Sequence, residues 1–154
     1  MTYKKLEEIL EPHQLVNFKT LLDYLRKGKL KAKFNLEMYS DGLKEIETDC
    51  GSEGCAIGHG PYAGIEKLST EAWFEYHSRT LTNSNNELWA WCFGMDNGFM
   101  NEELSELDNV VIKMHIALNE GVPAIFEGKK RGEITQLINS LKTKFLNLQS
   151  IDLE

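Results

Sequence analysis

The chain has 154 residues, of which 42% are hydrophobic and 27% charged, a balance that excludes intrinsic disorder and predicts one globular domain over residues 1–154. Its net charge of −7 disfavours direct binding to nucleic acid, which requires a basic surface. No apolar run approaches the roughly 18 residues that a transmembrane helix needs, so we expect no contact with a membrane.

The first part of the chain predicts two helices and a short extended segment. One helix is predicted near residues 2–11 and stops before Pro12. A second closes at Gly28. Alternating apolar and polar residues over 34–38 predict a short strand or an extended tether. The second helix has apolar residues at three- and four-residue spacing: Leu15, Phe18, Leu22 and Leu25.

Three further helices are predicted between residues 69 and 121. The first would be capped by Ser69 or Thr70, the second covers Glu87–Phe93, and the third runs from an Asp108 cap to Gly121. The predicted buried faces are Trp73, Tyr76, His77 and Leu81 in the first helix and Val110, Val111, Met114, Ala117 and Leu118 in the third.

The last predicted helix, residues 132–148, has the most regular apolar pattern, a narrow stripe typical of a coiled-coil seam. Leu141 and Phe145 lie in this stripe and are candidate partner contacts, including those of a homo-oligomer. No internal repeat or linker interrupts the chain. We therefore predict a mainly α, single compact helical domain, which becomes α+β only if one short strand or hairpin forms.

The segment Cys50–Gly60 contains four glycines, two cysteines and one histidine. If a helix begins near Ser52, Cys55 and His59 lie four residues apart on one face. Cys50, Cys55 and His59 then form a candidate zinc site, because thiolate and imidazole are the ligands of structural zinc. The spacing argues against zinc, since the second ligand pair of a zinc knuckle is missing.

Two other interpretations of this segment stay open. Cys50 or Cys55 could be a nucleophile with His59 as its base, although the sequence identifies no third group to orient the base. The simpler interpretation is a packing role, in which the small residues let other elements close over a tight turn. We therefore assign no catalytic residue and expect a protein that is not an enzyme.

The cysteines also bear on the compartment. The N-terminus contains Lys4, Lys5, Glu7 and Glu8 and lacks the apolar core of a signal peptide. We therefore expect a cytoplasmic protein, located in the host cytoplasm if a phage encodes it. Thiols stay reduced in the cytoplasm, and the chain has three cysteines, an odd number. For both reasons a disulfide framework is not expected.

The charges are unevenly distributed along the chain. Residues 1–34 carry eight Lys/Arg against four Asp/Glu, residues 35–127 carry four against seventeen, and residues 128–154 carry five against three. The acidic centre favours a basic protein partner, or mimicry of a polyanion by an acidic inhibitor of a nucleic-acid-processing enzyme. Solubility alone is the simpler interpretation.

The aromatic residues of the centre are candidates for the core and for a partner-binding surface. Trp89 and Trp91 cannot both face inward on one helix, so we expect part of this pair to be exposed. Exposed tryptophan is typical of protein interfaces. Trp89 and Trp91 are therefore candidate partner contacts, together with the last helix.

Four stretches of the chain carry a resemblance. They read Phe-Asn-Leu at 34–36, Asp-Cys-Gly-Ser-Glu-Gly-Cys-Ala-Ile-Gly-His at 49–59, Trp-Cys-Phe-Gly at 91–94 and Gly-Val-Pro at 121–123. They resemble a loose group of small uncharacterised phage and bacterial proteins with a Cys-Gly-Thr-x-x-Cys-x-x-Gly-His/Trp segment. Ser52 replaces the threonine of that segment, and Trp often stands at the position of His59. The resemblance implies a phage or mobile-element origin and no particular activity.

These observations predict a phage-type accessory protein that is not an enzyme and that binds and modulates a host or phage protein. The alternative is a small zinc-binding domain that uses Cys50, Cys55 and His59. The third hypothesis is the acidic inhibitor of a nucleic-acid-processing enzyme.

Overall fold

The computed structural model describes residues 2–27, 33–34, 53–54, 56–93 and 105–123. These ranges are mainly helical, which confirms the predicted fold class. None of the helices within them is long and apolar enough to span a membrane. The helices are α1 (Leu6–Ile9), α2 (Pro12–Arg26), α3 (Trp73–His77), α4 (Asn86–Cys92) and α5 (Glu106–Asn119), and the strands are β1 (Tyr3–Lys4), β2 (Lys33–Phe34), β3 (Glu53–Gly54) and β4 (Val122–Pro123).

The core lies where α2 and α4 pack against α5. α2 buries Phe18, Leu22 and Leu25 of the predicted face and also Leu21, whereas Leu15 is half-buried. α5 is the most deeply covered helix, since nearly every residue from 109 to 117 is buried. The largest buried apolar side chains are Trp73, Trp91, Tyr76, Phe18, Leu6, Leu21, Leu25, Ile57, Leu81, Leu88 and Ile112.

The start of the chain differs from the predicted helix over 2–11. Residues 3 and 4 pair antiparallel with β4, which comes 118 residues later along the chain, so only α1 is helical. Gly121 allows this approach because it has a φ of +117°, and a Cβ atom there would lie 2.6 Å from the Lys4 carbonyl oxygen. Pro12 begins α2 as its first residue, where a missing N–H costs nothing.

Two predicted helix caps are wrong. Ser105 caps α5 by accepting a hydrogen bond from the Asp108 N–H at 3.1 Å, so Asp108 lies inside the first turn. α3 begins only at Trp73, where the Glu75 carboxylate accepts from the Ala72 N–H at 2.9 Å. The predicted caps at 69 and 70 lie in the loop before it. In α5 a serine one turn earlier thus provides the cap, whereas Ala72, before α3, has no side-chain oxygen that could do so.

The described residues between 53 and 60 do not form the helix that would place Cys55 and His59 on one face. Residues 53–54 form β3, which pairs in parallel with β2 and so confirms a short strand at Phe34. Residues 56–60 form tight turns and are all buried. A Cβ atom at Gly60 would overlap the Tyr76 hydroxyl, which donates to the Ile65 carbonyl oxygen at 2.5 Å. The burial of residues 56–60 fits the packing interpretation of this segment. Cys55 lies outside the described residues, so its pairing with His59 stays a prediction.

Candidate partner-binding surface

Phe74, His77 and Trp89 form a row of rings where α3 and α4 meet, which we call the aromatic surface. The Phe74 ring meets the His77 ring edge-on, with the ring centroids 5.2 Å apart. The His77 ring stacks on Trp89, with the centroids 6.1 Å apart and an interplanar angle of 25°. Phe74 is 58% exposed, Trp89 is half-buried and His77 is buried. The row therefore reaches solvent at Phe74 and in part at Trp89, with His77 covered between them.

Thr82 fixes the orientation of the central ring. Its hydroxyl donates to the His77 carbonyl oxygen at 3.1 Å, and its Oγ1 lies 2.9 Å from His77 Nδ1. Because the hydroxyl has only one hydrogen, Nδ1 carries the proton and donates, which leaves Nε2 as an acceptor. Burial lowers the pKa of His77 to about 4, so this ring is neutral at pH 7.

A π-helical turn, Ser78–Thr82, follows His77 and sets its position. Such a turn changes the hydrogen-bond register of the backbone, and its carbonyl groups need other donors. α2 supplies them. Gln14 Nε2 donates to two carbonyl oxygens of the turn at 3.1 and 3.2 Å, and Asn17 Nδ2 donates to a third at 3.0 Å. The aromatic surface is therefore held by polar side chains on a helix some 60 residues earlier in the chain.

Two consecutive residues with left-handed backbone connect the π-helical turn to α4. Asn83 has a φ of 52° and Ser84 a φ of 58°, a conformation that costs a non-glycine residue about 1 kcal/mol or more. Asn83 is stabilised there because its Nδ2 donates to the Ile9 carbonyl oxygen at 2.8 Å. Asn85 then caps α4 by accepting from the Leu88 N–H at 2.9 Å. This sharp reversal brings Trp89 back onto His77.

Arg79 is paired within the chain beside this turn. Its guanidinium donates to both carboxylate oxygens of Glu71, at 2.6 and 2.8 Å, and to the Glu66 carbonyl oxygen at 3.1 Å. The guanidinium lowers the pKa of the Glu71 carboxyl to about 2. Glu75 and Glu87, on α3 and α4, are exposed. The only basic side chain between residues 71 and 93 is thus already occupied, which leaves this stretch acidic.

Trp91 does not belong to the aromatic surface. It is fully buried, its Nε1–H donates to the Lys113 carbonyl oxygen at 3.0 Å, and Lys113 Nζ lies 5.5 Å from its ring centroid. The partner-contact prediction is therefore wrong for Trp91 in the folded chain, because the ring is inside the core. It stays a prediction for Trp89. The expectation that the two rings face different ways is confirmed.

Lys113 is buried in the middle of α5, with 2% of its surface exposed. Burial lowers its pKa to about 8 and raises the pKa of the neighbouring Cys92 thiol. Cys92 is a buried free thiol, so nucleophilic chemistry has no access to it in the folded state.

The predicted zinc ligands are described only at His59. Its ring is buried, and its centroid lies 6.2 Å from that of Tyr24 and 6.0 Å from that of Tyr62. Cys50 and Cys55 lie outside the described residues. Within the described ranges, no group of three His, Cys, Asp or Glu side chains is placed to hold a metal ion. Zinc binding and the cysteine nucleophile therefore stay predictions, as do the contacts at Leu141 and Phe145, which also lie outside.

Phe74 belongs to the central aromatic residues that were candidates for the core or a partner surface, but of that group only Trp89 and Trp91 were named as partner contacts. The signal was present, because Trp73, Tyr76 and His77 occupy the inward positions of α3 at helical spacing and leave Phe74 outside. A large aromatic residue next to an assigned buried face is therefore the pattern to search for.

Comparison with known proteins finds no match for this chain among protein-family models, among curated proteins or among solved structures.

Proposed function

We propose that this chain is an accessory protein that is not an enzyme and that acts by binding and modulating a host or phage protein through its aromatic surface. The observation that carries the proposal is the exposure of Phe74, at 58%, in direct contact with the His77–Trp89 stack. The phage origin rests on the resemblance carried by residues 34–36, 49–59, 91–94 and 121–123.

The composition of the aromatic surface supports binding to a protein. Aromatic side chains dominate the energy of protein interfaces because each buries a large area with few rotatable bonds. Phe74 and Trp89 flank a neutral ring at pH 7, so covering them displaces water without leaving a charge unpaired. The π-helical turn and its hydrogen bonds to α2 hold the rings before any partner arrives, which lowers the entropy lost on binding.

The charge around the surface supports a basic partner. Arg79 is paired with Glu71, whereas Glu75 and Glu87 are exposed on the two helices that carry the rings. An acidic neighbourhood attracts a positively charged protein over distances of about 10 Å at ordinary salt.

Site-specific crosslinking tests the proposal, and Val16 offers a matched control. Val16 lies on α2 and is 62% exposed, close to the 58% of Phe74, but no aromatic neighbour flanks it among the described contacts. A photoreactive phenylalanine analogue would replace Phe74 or Val16 in full-length chain expressed in its source cells. We expect one dominant adduct from position 74 and none from position 16, and loss of that protein from co-purification with Phe74→Glu but not with Val16→Glu.

Equal adducts from both positions would contradict the proposal, because they would indicate collisions rather than a binding surface. So would the absence of an adduct at position 74 while the chain still co-purifies with a partner, since the contact would then lie elsewhere. Circular dichroism melts of each variant establish that the fold is intact.

A further inference from the structure

The three tryptophans of the chain differ in how their ring faces are occupied. Lys67 Nζ lies 5.0 Å from the ring centroid of Trp73, and Lys113 Nζ lies 5.5 Å from that of Trp91. Within the described part of the chain no lysine or arginine lies over Trp89, whose ring instead stacks on the neutral His77. An indole face is the strongest cation–π acceptor among the side chains.

The indole N–H groups of Trp89 and Trp91 also differ in their hydrogen bonding. The Trp91 Nε1–H donates to a carbonyl oxygen, whereas the Trp89 Nε1–H is buried without an acceptor among the described residues. A buried donor without an acceptor is costly, because it has lost its hydrogen bonds to water. Trp89 therefore combines a partly exposed indole with a buried N–H that has no acceptor among the described residues.

We infer that Trp89 receives a cationic side chain, arginine or lysine, from the partner, with Phe74 as the apolar contact beside it. The inference rests on the proposed function and names the chemical group that the aromatic surface recognises. Three features support it: the indole is partly exposed, the only basic side chain of the stretch 71–93 is occupied by Glu71, and Glu75 and Glu87 are exposed on the two helices that carry Phe74 and Trp89. His77 adds no repulsion, because it is uncharged at pH 7.

Peptide titration of the isotope-labelled full-length protein tests this inference. The indole N–H signals are followed by NMR, and the Trp89 signal is assigned as the one lost in Trp89→Phe. The probes are a short arginine–glycine repeat peptide and the same peptide with citrulline, which has the shape of arginine without its charge. Lysine and acetyl-lysine peptides form a second pair. We expect the cationic member of each pair to bind about two- to fivefold more tightly per contacting residue and to shift the Trp89 signal most.

Variants separate the cation–π contact from apolar contact. The preference for arginine over citrulline should fall in Trp89→Phe and vanish in Trp89→Leu, whereas Val16→Ala should keep it unchanged. Equal binding of arginine and citrulline peptides by the native protein would overturn the inference, and this result does not depend on any variant folding. A larger shift at the Trp73 or Trp91 indole than at Trp89 would overturn it as well.

The two proposals can fail separately. A specific adduct at position 74 combined with equal binding of both peptides would support the protein-binding function but contradict recognition of a cation by Trp89. An arginine preference at Trp89 without any adduct at position 74 would support a cation-binding surface but contradict the proposed binding of a cellular protein through Phe74.

Discussion

The same helix places one tryptophan in the core and another at the surface, and their surroundings are opposite. Trp91 is fully buried, with its N–H hydrogen-bonded and a lysine over its ring. Trp89 is half-buried and stacks on a histidine, and its N–H has no acceptor in the part of the chain that the structure describes. The contacts of Trp91 with Lys113 belong to the core, whereas Trp89 keeps part of its ring in water. We take this difference to separate a residue kept for stability from one available for binding.

The largest expected effect distinguishes the two tryptophans directly. Trp91→Ala removes a large buried ring and leaves a cavity beside Lys113, so we expect it to lower the free energy of unfolding by about 3–5 kcal/mol. Trp89→Ala should cost about 1–2 kcal/mol, because part of that ring is already in water. Urea denaturation of both variants measures the difference. Equal losses would mean that Trp89 is as much a core residue as Trp91.

The second prediction concerns the lysine on the core side. Folding lowers the pKa of Lys113 from 10.5 to about 8, so between these values the unfolded chain binds a proton that the folded chain does not. The contribution of this residue therefore becomes more favourable as pH rises from 8 to 10.5. Below pH 8 its charge destabilises the fold by up to about 3 kcal/mol.

Lys113→Met provides the measurement. We expect the variant to be more stable than the native protein at pH 7, with the advantage shrinking as pH rises towards 10.5. The burial of Cys92 has the opposite pH dependence, because its raised pKa makes folding less favourable as the unfolded thiol ionises. Cys92 is present in both proteins, so the difference between their stabilities isolates the lysine. A difference that is constant from pH 7 to 10 would show that Lys113 has no shifted pKa.

The third and smallest prediction concerns the histidine on the surface side. Folding lowers the pKa of His77 from 6.5 to about 4, so between these values the unfolded chain binds the extra proton. The contribution of neutral His77 to the free energy of unfolding is fully present above pH 6.5. It is lost as pH falls towards 4, by about 2–3 kcal/mol in all.

His77→Gln retains an N–H donor for Thr82 without titrating. We expect the variant to be less stable than the native protein at pH 7, because the stack on Trp89 is lost, and less sensitive to acid between pH 6.5 and 4. Thermal unfolding over this range gives both values. Parallel pH profiles would indicate that His77 titrates normally and is open to water in the folded state.

Local patterns were enough to predict much of this fold. The buried faces of α2, α3 and α5 follow from three- and four-residue spacing, because a helix that packs on one side must repeat its apolar residues with that period. The packing role of residues 56–60 followed from their glycines and small side chains. That only one of Trp89 and Trp91 could be buried followed from two positions 200° apart on a helix.

Tertiary structure decided what depends on residues distant in sequence. β1 is a strand because it pairs with β4 and because Gly121 lets the two segments approach closely, although the apolar residues of 2–11 have helical spacing. The π-helical turn is stabilised by Gln14 and Asn17, which donate hydrogen bonds to its carbonyl groups. These donors lie on a distant helix, so the local sequence does not predict the turn. Lys113 is buried despite its polarity, because residues 109–114 of α5 are covered on every face of the helix. Periodicity thus determined which faces turn inward, whereas long-range hydrogen bonds and packing decided where helices begin, where they change register, and which tryptophan remained available at the surface.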